Sequence, residues 1–191
     1  MSGPDSTADV RTLVVDDEQE VADAYALRLR DYCDVETSYS GEAALSVVDS
    51  SPVDIVLLDR HMPGMSGDDV LSELVERDYY GRVVMVTAVD PGIEVLDMPF
   101  DDYLCKPVER EDIRAVIDQQ RQILAYETLG KYFRAEAKRA VLDTELSGAD
   151  PEQAGYGEIR ERATRLERRT RRLLTDETVL DQFDAVSREE L

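Results

Sequence analysis

One histidine, two cysteines and three lysines are all that this 191-residue chain holds of those residue types, and tryptophan is absent. The lone histidine, His61, cannot assemble a metal site by itself. Cys33 and Cys105 fit no metal-binding spacing, and a pair of this kind inside a cell reads as two reduced core thiols. No run approaches the roughly 20 apolar residues of a membrane-spanning helix. The opening MSGPDSTADVR has neither a basic flank nor an apolar core, so no secretory signal is expected and the protein is placed in the cytoplasm. Internal repeats and low-complexity tracts are missing too.

Acid is what the chain has in excess. There are 43 acidic residues against 22 basic ones, a formal net charge of −21. Lysine stands only at 106, 131 and 138; the other basic residues are arginine. An ordinary acidic protein is one reading. A cytoplasm with molar salt is the other, because there the Debye length falls to about 3 Å and self-repulsion is screened. We read the surface as halophilic. The hydrophobic content of 42% is that of a folded chain. The charge is also uneven: residues 1–107 hold 24 acidic and 7 basic residues, residues 108–191 hold 19 and 15. That shift predicts two segments with different tasks.

The first segment alternates strand and helix patterns. Strands are predicted at Arg11–Val15, Asp34–Tyr39, Asp54–Leu58, Arg82–Thr87 and Asp102–Cys105. Helical spacing falls on Glu18–Arg30 (Val21, Ala24, Tyr25, Leu29), Gly41–Val48 and Asp68–Arg77 (Val70, Leu71, Leu74). Apolar strands with little alternation, separated by helices, predict a parallel sheet covered on both faces. Asp16 and Asp17 follow the first strand and Asp59 the third, at the sheet edge where ligands bind. Two carboxylates about 4 Å apart repel by about 4 kcal/mol at an effective dielectric of 20. Such a cluster calls for a counter-charge, and hard oxygen ligands point to Mg²⁺. Lys106 ends the last strand and Thr87 the fourth. The set reads as an acidic metal pocket, with a lysine and a hydroxyl, built to hold a phosphoryl group on a carboxylate. Taken singly each residue has a plainer explanation, as a turn or capping Asp or a strand Thr; order and spacing carry the reading.

Those runs (VVDDE at 14–18, LLDRHMPGMSG at 57–67, VTA at 86–88, DYLCKP at 102–107) resemble the receiver domain of two-component response regulators over about residues 10–125. The resemblance implies an α/β fold: a flavodoxin-like, doubly wound five-stranded parallel sheet of order 2-1-3-4-5. It implies that Asp59 is the phosphoacceptor for a sensor histidine kinase. Asp17, Asp59 and the backbone carbonyl of His61 are then direct Mg²⁺ ligands, with Asp16 reaching the metal through water. Lys106 pairs with the phosphoryl oxygens. Thr87 is the switch hydroxyl and Tyr103 the aromatic that turns with it. The Lys106–Pro107 bond is expected to be cis. No catalysis is expected beyond phosphorylation and dephosphorylation of the chain itself. A haloacid-dehalogenase-type phosphatase needs a second Asp two residues after its nucleophile, and Asp16–Asp17–Glu18 does not supply it. Only 19 residues separate Thr87 from Lys106, and with Pro91, Gly92 and Pro99 there, the fourth helix is expected to be short or irregular. The side chain of His61 is expected to face solvent; the alternative reading is that it modulates dephosphorylation.

From about Val108 the strands stop. Val108–Leu146 is nearly uninterrupted helix former, weakened only at Gly130, with an apolar face at Tyr126, Leu129, Phe133, Ala137 and Ala140. SGADP (147–151) is a break in which Asp150 and Pro151 suit a helix start. A second helix over about 151–174 sets Ile159, Leu166 and Leu173 at a coiled-coil seam, so an antiparallel hairpin is expected. A third short helix is expected at Asp176–Val186. This region resembles the HalX domain attached to receivers of extreme halophiles. The organisation expected is a disordered 1–9, a receiver at 10–125, and an all-α HalX-like domain at 126–191 whose first helix continues the last receiver helix. Partners expected are an unknown downstream protein and a second copy through the C-terminal helices. Seven arginines crowd 159–173: Arg160, Arg162, Arg165, Arg168, Arg169, Arg171 and Arg172. Nucleic-acid contact by that helix is the alternative, disfavoured because phosphate binding weakens steeply with salt.

Overall fold

The computed structural model describes residues 10–88, 92, 97–145 and 156–174. Five strands form one parallel sheet: β1 (Arg11–Val15), β2 (Asp34–Ser38), β3 (Ile55–Leu58), β4 (Arg82–Thr87) and β5 (Asp102–Cys105), in the order β2-β1-β3-β4-β5. Burial follows this order. Every residue of β3 is buried, and β1 and β4 are buried after their first residue, whereas the edge strands β2 and β5 are mostly half-buried or exposed. Central parallel strands lose water from both faces, which accounts for their unbroken Val/Leu/Ile/Met content. Asp54, read as the start of β3, stands just before it. Its buried carboxylate accepts from the Arg11 N–H at 3.0 Å, closing the sheet at its amino end.

Helices α1 (Gln19–Leu29), α2 (Gly41–Ser50) and α3 (Gly67–Glu76) connect the first four strands. Ser40 caps α2, accepting from the Ala43 N–H at 3.2 Å. Ser66 and Asp69 cap α3 reciprocally, each side chain accepting the other's backbone N–H, at 3.2 and 3.0 Å. Val70, Leu71 and Leu74 of α3 pack into a core with Leu13, Val56, Leu58 and Met85. In α1 the buried face is Ala22, Tyr25, Ala26 and Leu29. Val21 is only half-buried and Ala24 is exposed; the face lies one residue round from the expected one, since alanines on both sides leave the stripe loosely defined.

The chain divides into two units, Met1–Arg121 and Gln122–Leu191. Helix α4 (Arg110–Glu145) begins in the first, ends in the second, and runs unbroken through Gly130. Its expected apolar face is corrected. Tyr126 and Phe133 are 57% and 41% exposed and Ala137 and Ala140 are exposed, while Leu124, Ala125, Thr128, Tyr132 and Ala135 are buried. Thr128 reads as polar in sequence, but its hydroxyl donates to the Leu124 carbonyl at 2.7 Å and so enters the buried face satisfied. In α5 (Tyr156–Leu173), Leu173 of the expected seam is fully buried and Ile159 and Leu166 are half-buried, with Ala163 and Thr170 buried between them. The N-terminal nine residues, most of the expected irregular fourth-helix region, the SGADP break and the third C-terminal helix lie outside the described residues. Cys33 is buried and its thiol is pushed up chiefly by burial. Cys105 is exposed, correcting the expectation of two core thiols, because it ends an edge strand.

Candidate functional site

Strand register builds the site. Val15 pairs with Leu58, Leu58 with Met85, and Thr87 with Cys105. Asp16 and Asp59 therefore follow paired residues on neighbouring strands, about 4.8 Å apart in the sheet. Lys106 follows the partner of Thr87, and its N–H donates to the Thr87 carbonyl at 2.7 Å. At this carboxyl edge the Lys106 ammonium donates to Asp16 Oδ2 at 2.6 Å and to Asp59 Oδ1 at 2.8 Å. The remaining oxygens are also used: Asp16 Oδ1 accepts from the Glu18 N–H at 3.0 Å, and Asp59 Oδ2 from the His61 N–H at 2.8 Å. The Lys106–Pro107 peptide bond is cis.

The electrostatics are those of a charged cluster held partly out of water. The Asp16, Asp59 and Lys106 side chains are 3%, 8% and 17% exposed. Beneath them Val14, Leu57, Val86 and Ile113 close an apolar floor around a void of about 10 Å³, at the lower limit for one water. Burial works against the Lys106 charge, but the hydrogen bonds and fields of Asp16 and Asp59 outweigh it and raise its pKa above the ordinary lysine value. Asp17 is exposed beside the cluster, and no described residue partners its carboxylate. Three carboxylates and one ammonium leave a formal charge of −2, which suits a divalent cation. The donors are hard oxygens, and this chemistry fits Mg²⁺. Among the described residues no finished shell of three acidic, histidine or cysteine side chains is assembled; the ammonium of Lys106 stands against both buried carboxylates.

The other expected residues lie around this cluster. Thr87 is buried at the end of β4. His61 is exposed, as expected for its side chain. Tyr103, on β5, is half-buried, its ring 5.6 Å from that of Phe100. The loop after Asp59 is tightly closed. Gly64 has φ +78°, and a Cβ on Gly67 would meet the Asp59 carbonyl at 2.2 Å. Both positions therefore require glycine. Sequence reading passed over Arg60. Its guanidinium donates to both oxygens of Asp68 at 3.1–3.3 Å. Arg60 lies in the loop after β3 and Asp68 in the first turn of α3, so the two share no element whose period could announce the pair.

Comparison with known proteins agrees with this geometry. The response regulator receiver domain family matches residues 12–118 and the HalX domain matches residues 122–188. A candidate transcriptional regulator of Haloferax volcanii is 43% identical over 135 residues, 69% of this chain and 23% of that protein. The transcriptional regulatory protein CutR of Streptomyces coelicolor is 44% identical over 102 residues, 51% of this chain and 47% of that one. The chain thus spans less than half of the length of these relatives. Among solved structures, a CheY-like receiver domain protein of Methanospirillum hungatei superposes with TM-score 0.58 at 24% identity, covering 62% of this chain and 98% of that one. A receiver domain protein of Clostridium thermocellum gives 0.54 at 27%, covering 58% and 93%. A receiver fold with its acidic pocket at the sheet edge, followed by a HalX match, makes this chain a member of the response regulator receiver family of two-component systems, carrying a HalX domain after the receiver.

Proposed function

We propose that the chain is a phosphorylation-operated switch in which Asp59 accepts a phosphoryl group from a sensor histidine kinase. The observation that carries this is the convergence of Asp16, Asp59 and the Lys106 ammonium, at 2.6 and 2.8 Å, on the ligand-binding edge of the sheet. An Asp59 oxygen attacks phosphorus, the N–P bond to the kinase histidine breaks, and its electron pair returns to the imidazole. Asp16, Asp17, Asp59 and the His61 carbonyl would hold Mg²⁺, which supplies charge neutralisation at the phosphoryl oxygens. Lys106 changes partner from a carboxylate to a phosphoryl oxygen. The Thr87 hydroxyl bonds another, and Tyr103 follows it. The transfer asks mainly for positioning and charge balance, and the outcome is a population shift between two arrangements.

The test is intact mass after incubation with acetyl phosphate, Mg²⁺ and molar KCl. A gain of one phosphoryl mass in wild type and none in Asp59→Asn is the expected result. No gain at any salt in folded protein, from acetyl phosphate or from a phosphorylated histidine kinase, refutes the reading.

The output is assigned to the helical region, through a downstream protein and self-association by 126–191. A truncation to residue 125 that still dimerises on phosphorylation refutes that assignment. Two observations favour DNA instead: Arg160, Arg162, Arg165 and Arg168 of α5 are exposed, and the relatives are named as regulators of transcription. Saturable, sequence-dependent DNA binding in molar KCl decides for it. No helix among the described residues is long and apolar enough to cross a membrane.

A further inference from the structure

We propose that α4 carries a second apolar seam, and that its occupant is the same seam of a second copy of this chain, running antiparallel. The proposal rests on the reading of self-association through the helical region and supplies its surface. Along α4, Ile123, Tyr126, Gly130, Phe133, Ala137 and Ala140 follow one another at alternating steps of three and four, which is a heptad seam. The stripe that holds Thr128, Tyr132 and Ala135 is buried on another side of the helix. In the seam, Ile123 and Gly130 are half-buried and the other four residues are exposed, Tyr126 by 57% and Phe133 by 41%. Among the described residues nothing requires glycine at 130. Its backbone is ordinary helix, and an added Cβ would meet only the flexible end of Arg134, at 3.6 Å. Glycine in mid-helix weakens the helix relative to alanine; what it gives in return is a notch on an exposed face.

Size and charge both choose the occupant. A two-fold axis midway between Gly130 and Phe133 sets Ile123 of one copy opposite Ala140 of the other, Tyr126 opposite Ala137, and Phe133 opposite Gly130. Every layer joins a large side chain to a small one, and the axis repeats each layer, as a self-complementary interface requires. A parallel pairing would stack Gly130 on Gly130 and Phe133 on Phe133. The flanks agree. Glu127 and Arg134 stand seven residues apart on one edge of the seam. The antiparallel pairing brings Glu127 of each copy beside Arg134 of the other, whereas the parallel one brings no opposite charges together. Local charge also permits the approach. Against a chain total of −21, residues 123–141 hold Lys131, Arg134, Lys138 and Arg139 and only two acids, Glu127 and Glu136. Two copies therefore meet where the chain is not acidic. The seam is about 26 Å long at 1.5 Å per residue, a length that suits a small, reversible interface.

The test is the dimer dissociation constant of the full chain, by sedimentation equilibrium in molar KCl, with and without acetyl phosphate and Mg²⁺. Phe133→Glu and Gly130→Leu should each raise it about thirtyfold, the loss of a central aromatic anchor or of its pocket. Gly130→Leu raises helix propensity, so undiminished helicity by circular dichroism shows that its effect is not unfolding. The exchange Gly130→Phe with Phe133→Gly should recover most of the affinity, because the two positions face each other only in the antiparallel pairing. The gain of phosphoryl mass should be the same in all variants, since neither residue lies in the acidic pocket. A dimer indifferent to both single variants refutes the seam and leaves self-association to another surface. An exchange variant as weak as the single ones refutes the antiparallel pairing. A wild type that stays monomeric, phosphorylated or not, refutes the seam and the self-association reading together, while its phosphoryl mass still decides the switch reading. Lowered thermal stability of Phe133→Glu in such a monomer would show that the face is covered from within the chain.

Discussion

Replacing Lys106 with methionine removes the cation that bonds both buried carboxylates. The ammonium makes two short charge-assisted hydrogen bonds, 2.6 Å to Asp16 and 2.8 Å to Asp59, with both carboxylates less than a tenth exposed. Methionine fills similar volume, so packing is largely conserved. What changes is that two carboxylates remain without a counter-ion, which places the loss at about 3–5 kcal/mol. At 2–4 °C per kcal/mol for a chain of this size, the receiver transition should fall by about 10 °C. Thermal unfolding in molar KCl measures it. Screening at that salt spares a partly buried contact far more than a surface one. Two controls follow from the same geometry. Lys106→Met with Asp16→Asn should recover part of the loss, because one of the two stranded charges is gone. Mg²⁺ should stabilise Lys106→Met more than wild type, since the formal charge of the cluster goes from −2 to −3. The pH dependence has a fixed sign. The folded pKa of Lys106 lies above its ordinary 10.5, so its contribution is fully present below about pH 10.5 and is lost as pH rises through the folded value. That alkaline loss should be absent in the variant. A destabilisation below about 1 kcal/mol, the range of exposed ion pairs, would refute this account of the cluster.

Gly67→Ala should cost about 3 kcal/mol or more in urea unfolding, because its Cβ would meet backbone atoms at 2.2 and 2.8 Å that cannot rotate away. The displaced Asp59 loop should also slow labelling by acetyl phosphate. Ser66→Ala removes the α3 cap and should lower stability at neutral pH. The Ser66 side chain and N–H hold the Asp69 pKa below the ordinary carboxylate value, so Asp69's contribution is present above that value and lost as pH falls through the folded one. The difference between Ser66→Ala and wild type should therefore shrink in acid. Leu58→Ala, at a fully buried position beside the phosphoacceptor, should cost about 2–5 kcal/mol; chemical denaturation of the full chain reads it.

The sheet was legible because central parallel strands announce themselves. Ile55–Leu58 and Arg82–Thr87 are short apolar runs with turn residues around them, and a strand buried on both faces can hardly be written otherwise. Asp16, Asp59 and Lys106 were legible for a related reason. Asp16 and Asp59 directly follow buried apolar runs and Lys106 directly follows the shorter edge strand, so finding the strand ends finds the residues. The buried face of α4 was not legible. Tyr126 and Phe133 are as apolar as Tyr132 and Ala135, and the choice between two faces one residue apart lies with packing. A threonine that satisfies its own hydroxyl tips that choice in a way composition cannot register.

Residue order alone therefore determined the element sequence, the parallel sheet and the membership of the acidic set, because periodicity and strand-end position are local properties. Tertiary structure decided which of those groups touch. The register of β1 with β3 and of β4 with β5 brings Asp16, Asp59 and Lys106 within hydrogen-bonding distance, although Lys106 stands 90 and 47 residues from them in the chain. It also decided the partner of Arg60. A guanidinium reaches Asp68 only after a glycine has let the loop close on α3, and contacts of that kind exist once the backbone has been placed in three dimensions and not before.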